Sequence, residues 1–238
     1  MIDLAVIASL PHLGQLSARG SIAMALTHLV LGHPAYAAYH RARAEAGITV
    51  LLDNSAYELE TETGQGMSAV PVLKAAAQIS ASVVVCQDVV YDAAATVAAT
   101  RWFLIQAVDI GAGVYRFMGV PQGGDRAEWL ACYERLVATG GIDMIGLSKL
   151  SVPRCFDAPV AEARLACVEE LARRRMPKPL HLLGGDRSLP WELAEHRRRG
   201  YDEIVLSNDS SFAYWYAACG IPVETAAGRA ATQAPSGP

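Results

Sequence analysis

The chain has 238 residues, of which 52% are hydrophobic and 18% charged, and its formal net charge is −4. That apolar content excludes a disordered chain, and the acidic balance argues against a protein held on nucleic acid mainly by its overall field. Five scattered cysteines without a CxxC pair suggest neither a disulfide framework nor a zinc cluster.

The opening MIDLAVIASLPHLG carries Asp3 inside its apolar stretch and no basic segment before it, so it does not read as a signal peptide. Apolar runs of ~5 to 8 residues fall short of the ~20 that cross a bilayer, which points to a cytoplasmic protein without membrane contact. In chain order, strands are expected at Ile2–Ala8, Thr49–Leu52, Ser82–Cys86, Arg116–Val120, Met144–Leu147, Leu180–Leu183 and Glu203–Leu206. An eighth is placed at Ile221–Thr225. Between them, helical spacing predicts helices at Ser21–Ala46 (broken at Pro34), Ser68–Ile79, Ala93–Ile110, Arg126–Thr139, Val160–Arg175, Trp191–Arg199 and Ser211–Cys219. Gly47, Gly111, Gly140 and Gly200 stand just past helix ends, where a left-handed residue is wanted. This alternation predicts a single α/β domain over residues 1–225, a TIM (β/α)8-type barrel, with its closure left open and a flexible tail at 226–238. An open doubly wound sheet is the rival, but no GxGxxG follows the first strand. Two basic runs, Arg173–Arg175 with Lys178 and His196–Arg199, fall at helix C-termini, where they complement the helix dipole or reach a phosphate.

Parallel strands buried on both faces read as unbroken apolar runs, and ligands bind beyond their carboxyl ends. The first polar residues after each run are therefore the candidates: Asp53-Asn54-Ser55, Gln87-Asp88, Gln122-Gly123-Gly124, Ser148-Lys149, Gly184-Gly185-Asp186 and Ser207–Ser211. Asp53, Asp88 and Asp209 end three different strands and should meet at one mouth, although each alone could simply cap the next helix. Six histidines form no HxH or HExxH pattern, and Ser207 and Ser210 lack a GxSxG elbow. Carboxylates without a metal suit glycosyl chemistry, in which one attacks the anomeric carbon and another moves the leaving group's proton.

The strings LLDNSAYE (Leu51–Glu58), VCQD (Val85–Asp88), FMGVPQGG (Phe117–Gly124), IGLS (Ile145–Ser148), HLLGG (His181–Gly185) and SNDSS (Ser207–Ser211) occur in order. Together they resemble the tRNA-guanine transglycosylase family, and more particularly its short relatives, as found in phages, that insert 7-deazaguanine bases into DNA. The resemblance implies a TIM barrel that exchanges guanine for a 7-deazaguanine by breaking and remaking the N-glycosidic bond, with no cofactor. It implies Asp209 as the nucleophile, Asp53 as the acid/base, and Asp88 and Gln122 as readers of the purine. Gly123, Gly146 and Leu147 would offer backbone groups near the base, and Tyr57 would stack on it or pack. The CxCxxC zinc site of the large tRNA enzymes does not follow Asp209, so DNA is favoured over tRNA as the partner of the 7-deazaguanine co-substrate. Family members often pair, which leaves a homodimer open. Two other readings stand beside this one. The first is a lyase or isomerase that holds a phosphate at Gly184-Gly185 and the next helix N-terminus. The second is a non-catalytic relative that only binds a nucleobase or nucleic acid.

Overall fold

The computed structural model describes residues 1–56, 67–174 and 178–222. Eight strands, β1 (Asp3–Val6), β2 (Ala23–Leu26), β3 (Val50–Asp53), β4 (Val83–Val85), β5 (Arg116–Gly119), β6 (Met144–Ser148), β7 (Leu180–Gly185) and β8 (Val205–Ser210), form one sheet in the order β1-β8-β7-β6-β5-β4-β3-β2. Every ladder is parallel. The helices of the outer layer are α1 (Thr27–Gly32), α2 (Pro34–Glu45), α3 (Ala69–Ile79), α4 (Ala93–Asp109), α5 (Arg126–Ala138), α6 (Ser151–Phe156), α7 (Val160–Arg173), α8 (Leu189–Arg198) and α9 (Phe212–Ala218). None of them is long and apolar enough to cross a membrane.

This is a TIM-like barrel that stops just short of closing. The seam lies between β1 and β2, where two hydrogen bonds replace a ladder: Leu4 N to Ser21 Oγ at 3.0 Å and Ile22 N to the Leu4 carbonyl at 3.4 Å. Gly20 makes the approach possible, because a Cβ there would lie 2.6 Å from the Leu4 carbonyl oxygen.

The core has two layers, as strands buried on both faces require. Ala5, Met24, Leu51, Val83, Val85, Met118 and Met144 fill the barrel interior. Leu52, Val84, Phe117, Ile145, Leu180 and Val205 pack outward against Leu73, Phe103, Trp129, Leu136 and Val168 of the helices.

Seven of the expected strands are found, and the chain does break at Pro34, which opens α2. Two corrections concern strands. The segment Ile22–Leu26 was expected to begin a helix, yet it holds β2, because an apolar run buried on both faces carries no period that separates strand from helix. Of the strand expected at Ile221–Thr225, Ile221 and Pro222 lie in no strand and the rest falls outside the described residues, as does the tail at 226–238. Helix α6 was not expected at all. The left-handed turn placed at Gly140 falls instead on Gly141.

Candidate active site

Alternation along the strands decides which side chains enter the mouth. Leu51 of β3 and Val85 of β4 point inward, and the same parity carries Asp53 inward, whereas Asp88 lies past the end of β4 and reaches the cavity from the segment that follows the strand. In β8 the parity is reset. Leu180 pairs with Val205 but His181 pairs with Ser207, so Leu206 is an extra residue in the ladder. Val205 packs outward, and without this bulge Asp209 would do the same; with it, Ser207 and Asp209 turn into the barrel. A second irregularity lies opposite, where Leu182 and Gly185 of β7 span Asn208 and Ser210. There Gly184 takes a left-handed φ of +71°, and its N–H donates to Asp209 Oδ1 at 2.9 Å.

The strand ends enclose a cavity of about 480 Å³ lined by Asp53, Asp88, Gln122 and Asp209, with Met24, Leu26, Lys149 and Trp215 among the other walls. In an eight-strand ring β8 stands four strands from β4, so Asp209 and Asp88 occupy opposite walls.

On the β7–β8 wall, His181 Nε2 lies 3.0 Å from Asp209 Oδ1, and His181 Nδ1 lies 2.7 Å from Ser207 Oγ. A carboxylate oxygen accepts, so Nε2 carries the proton on that side, and the Ser207 hydroxyl bonds the other ring nitrogen. Both donors to Asp209 thus fall on Oδ1, and among the described residues none reaches Oδ2. Behind this wall Arg164 of α7 is fully buried and pairs with both oxygens of Glu192 of α8 at 2.8 Å. Its Nη1 also donates to the carbonyls of Leu147, Leu183 and Gly184, tying the ends of β6 and β7 to the helices. Burial opposes the Glu192 charge, but the Arg164 guanidinium and His196 together hold its carboxyl below the usual range.

The β3–β5 wall is built from amides. Asn54 Nδ2 donates to Asp88 Oδ1 at 2.8 Å and to the Cys86 carbonyl at 2.7 Å, while Gln122 Nε2 donates to Asp88 Oδ2 at 2.6 Å. Gln122 Oε1 accepts from Tyr91 N, and Asn54 Oδ1 accepts from Ala56 N. Burial, and then the Asp88 and Asp143 carboxylates, push the Cys86 thiol well above its ordinary value, so it remains a neutral packing group. Between the walls, Asp53 Oδ2 accepts from Ser55 N at 2.8 Å in an Asx turn. Lys149 is the one cationic residue among the described residues lining the cavity, and the Arg154 guanidinium lies 4.5 Å from the centre of the Tyr91 ring.

Asp53, Asp88, Gln122 and Asp209 are therefore brought together as expected. Gly123, Gly146 and Leu147 are not among the lining residues. A Cβ on Gly123 would strike Trp129 N, one on Gly146 would strike the Leu183 side chain, which itself lines the cavity, and Leu147 points into the outer core. Ser148, Lys149 and Leu150 line the cavity in their place. Tyr57 lies outside the described residues. Asn54, His181 and Trp215 were not assigned to the site. For His181 a usable signal is its odd-numbered register with Leu183, and for Trp215 it is an aromatic one helical turn after SNDSS. Among the described residues no group of three or more His, Cys, Asp or Glu side chains is placed to hold a metal ion.

The phosphate site imagined at Gly184-Gly185 meets two obstacles. The Gly184 N–H is engaged by Asp209, and the Asp186 carboxylate already accepts from Ser188 N and Oγ at the start of α8. No protein-family model matches the sequence, and a search of curated proteins finds no match either.

Proposed function

We propose that the chain exchanges a guanine base in a polynucleotide, DNA in preference to tRNA, for a 7-deazaguanine through a covalent sugar intermediate on Asp209. The observation that carries this reading is the unequal treatment of the two Asp209 oxygens. Oδ1 is pinned by Gly184 and His181, which leaves Oδ2 as the attacking atom in a cavity whose far wall is an amide-held carboxylate. Oδ2 forms a bond to the anomeric carbon as the N-glycosidic bond breaks, the electron pair going to the base nitrogen. Asp53, as the acid, gives that nitrogen its proton. The incoming base then returns a proton to Asp53, its nitrogen attacks the anomeric carbon, and Asp209 is released. Asp88 suits a reader of adjacent N–H donors, because Asn54 and Gln122 fix both its oxygens while lone pairs remain for a ligand. To reach the bond the nucleotide must leave its stack, and Lys149 at the cavity suits contact with a phosphate.

The test is incorporation of labelled 7-deazaguanine into guanine-containing DNA and RNA by the purified chain, followed by nucleoside mass spectrometry. The native chain incorporates label and Asp209→Ala does not. Normal incorporation by the variant would remove Asp209 from the mechanism, and none by the native chain would remove the reading.

A further inference from the structure

Asp53 stands at the end of β3 opposite Leu26, its ladder partner at the end of β2. The two residues after Leu26 open α1, and both reach across to Asp53 and the turn that follows it. Thr27 Oγ1 donates to the Asp53 carbonyl at 2.5 Å. His28 meets a single atom twice: its backbone N–H donates to Ser55 Oγ at 3.4 Å, and its ring Nδ1 lies 2.9 Å from the same oxygen.

Ser55 is the strained point of this arrangement. Its φ of +57° is left-handed, a region that a serine occupies only where its surroundings hold it there. The Ser55 side chain is wholly buried and takes no part in the cavity wall, yet its N–H is the donor that holds Asp53 Oδ2 at 2.8 Å. One residue therefore carries both bonds, Oγ to His28 and N–H to Asp53.

A serine hydroxyl beside an imidazole is also the arrangement of an activated nucleophile, but no substrate reaches a side chain so completely buried. Capping of α1 explains the bond from the His28 backbone, because first-turn N–H groups lack helical partners. It leaves the ring contact unexplained, since any residue at position 28 would offer the same N–H.

We infer that His28 is a positioning residue for Asp53: its imidazole holds Ser55 in the left-handed turn, and the turn aims the Ser55 N–H at the carboxylate. His28 is not among the residues lining the cavity, so it acts on Asp53 through Ser55 and not on a ligand. The role of Asp53 as acid/base rests on the proposed reaction, whereas the link from His28 does not.

The link is read from the titration of the Asp53 carboxyl, followed by carbon NMR on aspartate-labelled chain and assigned with Asp53→Asn. An N–H donor favours the ionised carboxylate, so loosening it moves the midpoint up. His28→Leu and Ser55→Ala should each raise the midpoint by about half a pH unit, and the double variant no further, because both changes cut the same bond. His28→Asn should return it to the native position, its amide reaching the place of Nδ1. That variant also lacks the imidazole's charge, so its recovery separates the bond from a through-space effect. The other charged groups of the cavity wall, Asp88, Lys149 and Asp209, are the same throughout.

In the label-incorporation assay His28→Leu should lower kcat about tenfold with KM changed by less than about twofold, and His28→Asn should recover most of the loss. Equal midpoints in the native chain, His28→Leu and Ser55→Ala would overturn the inference even where label is incorporated. So would a His28→Asn midpoint as displaced as that of His28→Leu. The expected midpoints in a native chain that incorporates no label would uphold the link and remove the proposed reaction.

Discussion

The two walls of the cavity hold their carboxylates in opposite ways. On the β3–β5 side Asp88 follows a regular strand, and two amides occupy both of its oxygens. On the β7–β8 side two ladder irregularities deliver Asp209, and both donors fall on one oxygen. The first arrangement fixes both oxygens of a carboxylate, which on the proposed reading is a surface for recognition. The second fixes a carboxylate through one oxygen, leaving the other for bond making on the proposed reading, and the irregular ladder that carries it has a buried support behind it. That support is Arg164, whose guanidinium gathers the strand-end carbonyls while Glu192 neutralises it.

Breaking the support should give the largest effect. Arg164→Ala leaves the Glu192 carboxylate buried without its partner, which costs about 3–5 kcal/mol and lowers Tm by roughly 10 °C. Thermal unfolding of the variant checks this, and a drop of only 1 or 2 °C would show, on the same relation, that the pair does not support the wall.

Away from both walls, His40 of α2 gives the next effect. Burial, and then the Arg43 charge, pull its pKa from 6.5 down to about 4. The unfolded chain therefore takes up this proton through pH 6.5 while the folded chain resists until about 4. Its contribution is full above the unfolded value and is lost as pH falls between the two, a loss on the order of 3 kcal/mol. Urea midpoints between pH 7 and 4.5 should fall with acidification, and His40→Phe should flatten that slope. An unchanged slope in the variant would move the acid sensitivity to other groups.

On the amide wall the effect is smaller and falls on binding. Asn54→Ala removes the donor to Asp88 Oδ1 and to the Cys86 carbonyl, and should weaken 7-deazaguanine binding by about tenfold, the worth of one hydrogen bond to a charged group. Calorimetry of the base with the variant measures this. Equal affinity in the two proteins would separate Asp88 recognition from Asn54.

What was legible in the sequence follows the same division. Asp53, Asp88 and Gln122 could be found because they end or closely follow regular strands, and polar residues just after an apolar run are visible without any contact. Asp209 was visible as such a residue, but the extra Leu206 that turns it inward leaves no mark in a polar-apolar pattern. Asn54 stands beside a residue that was assigned, yet its partners lie 32 and 34 positions on. Leu147 and Gly123 sit within the right strings but are not among the residues that line the cavity, and the Leu147 side chain packs in the outer core, a matter of parity that strings do not carry. The strand β2 was hidden for a different reason: AMAL is buried on nearly all sides and has no alternation to display.

That hidden strand also governs the girth of the barrel. The ladder runs continuously from β2 around to β1 and then stops, so the sheet is a split ring rather than a hoop, and β2 is its free lip. Met24 and Leu26, which face the cavity, ride on that lip. The bonds that Ser21 and Ile22 make to Leu4 act as a clasp across the split, and because Leu26 pairs with Asp53 in the β2–β3 ladder, the position of the lip is coupled to that carboxylate.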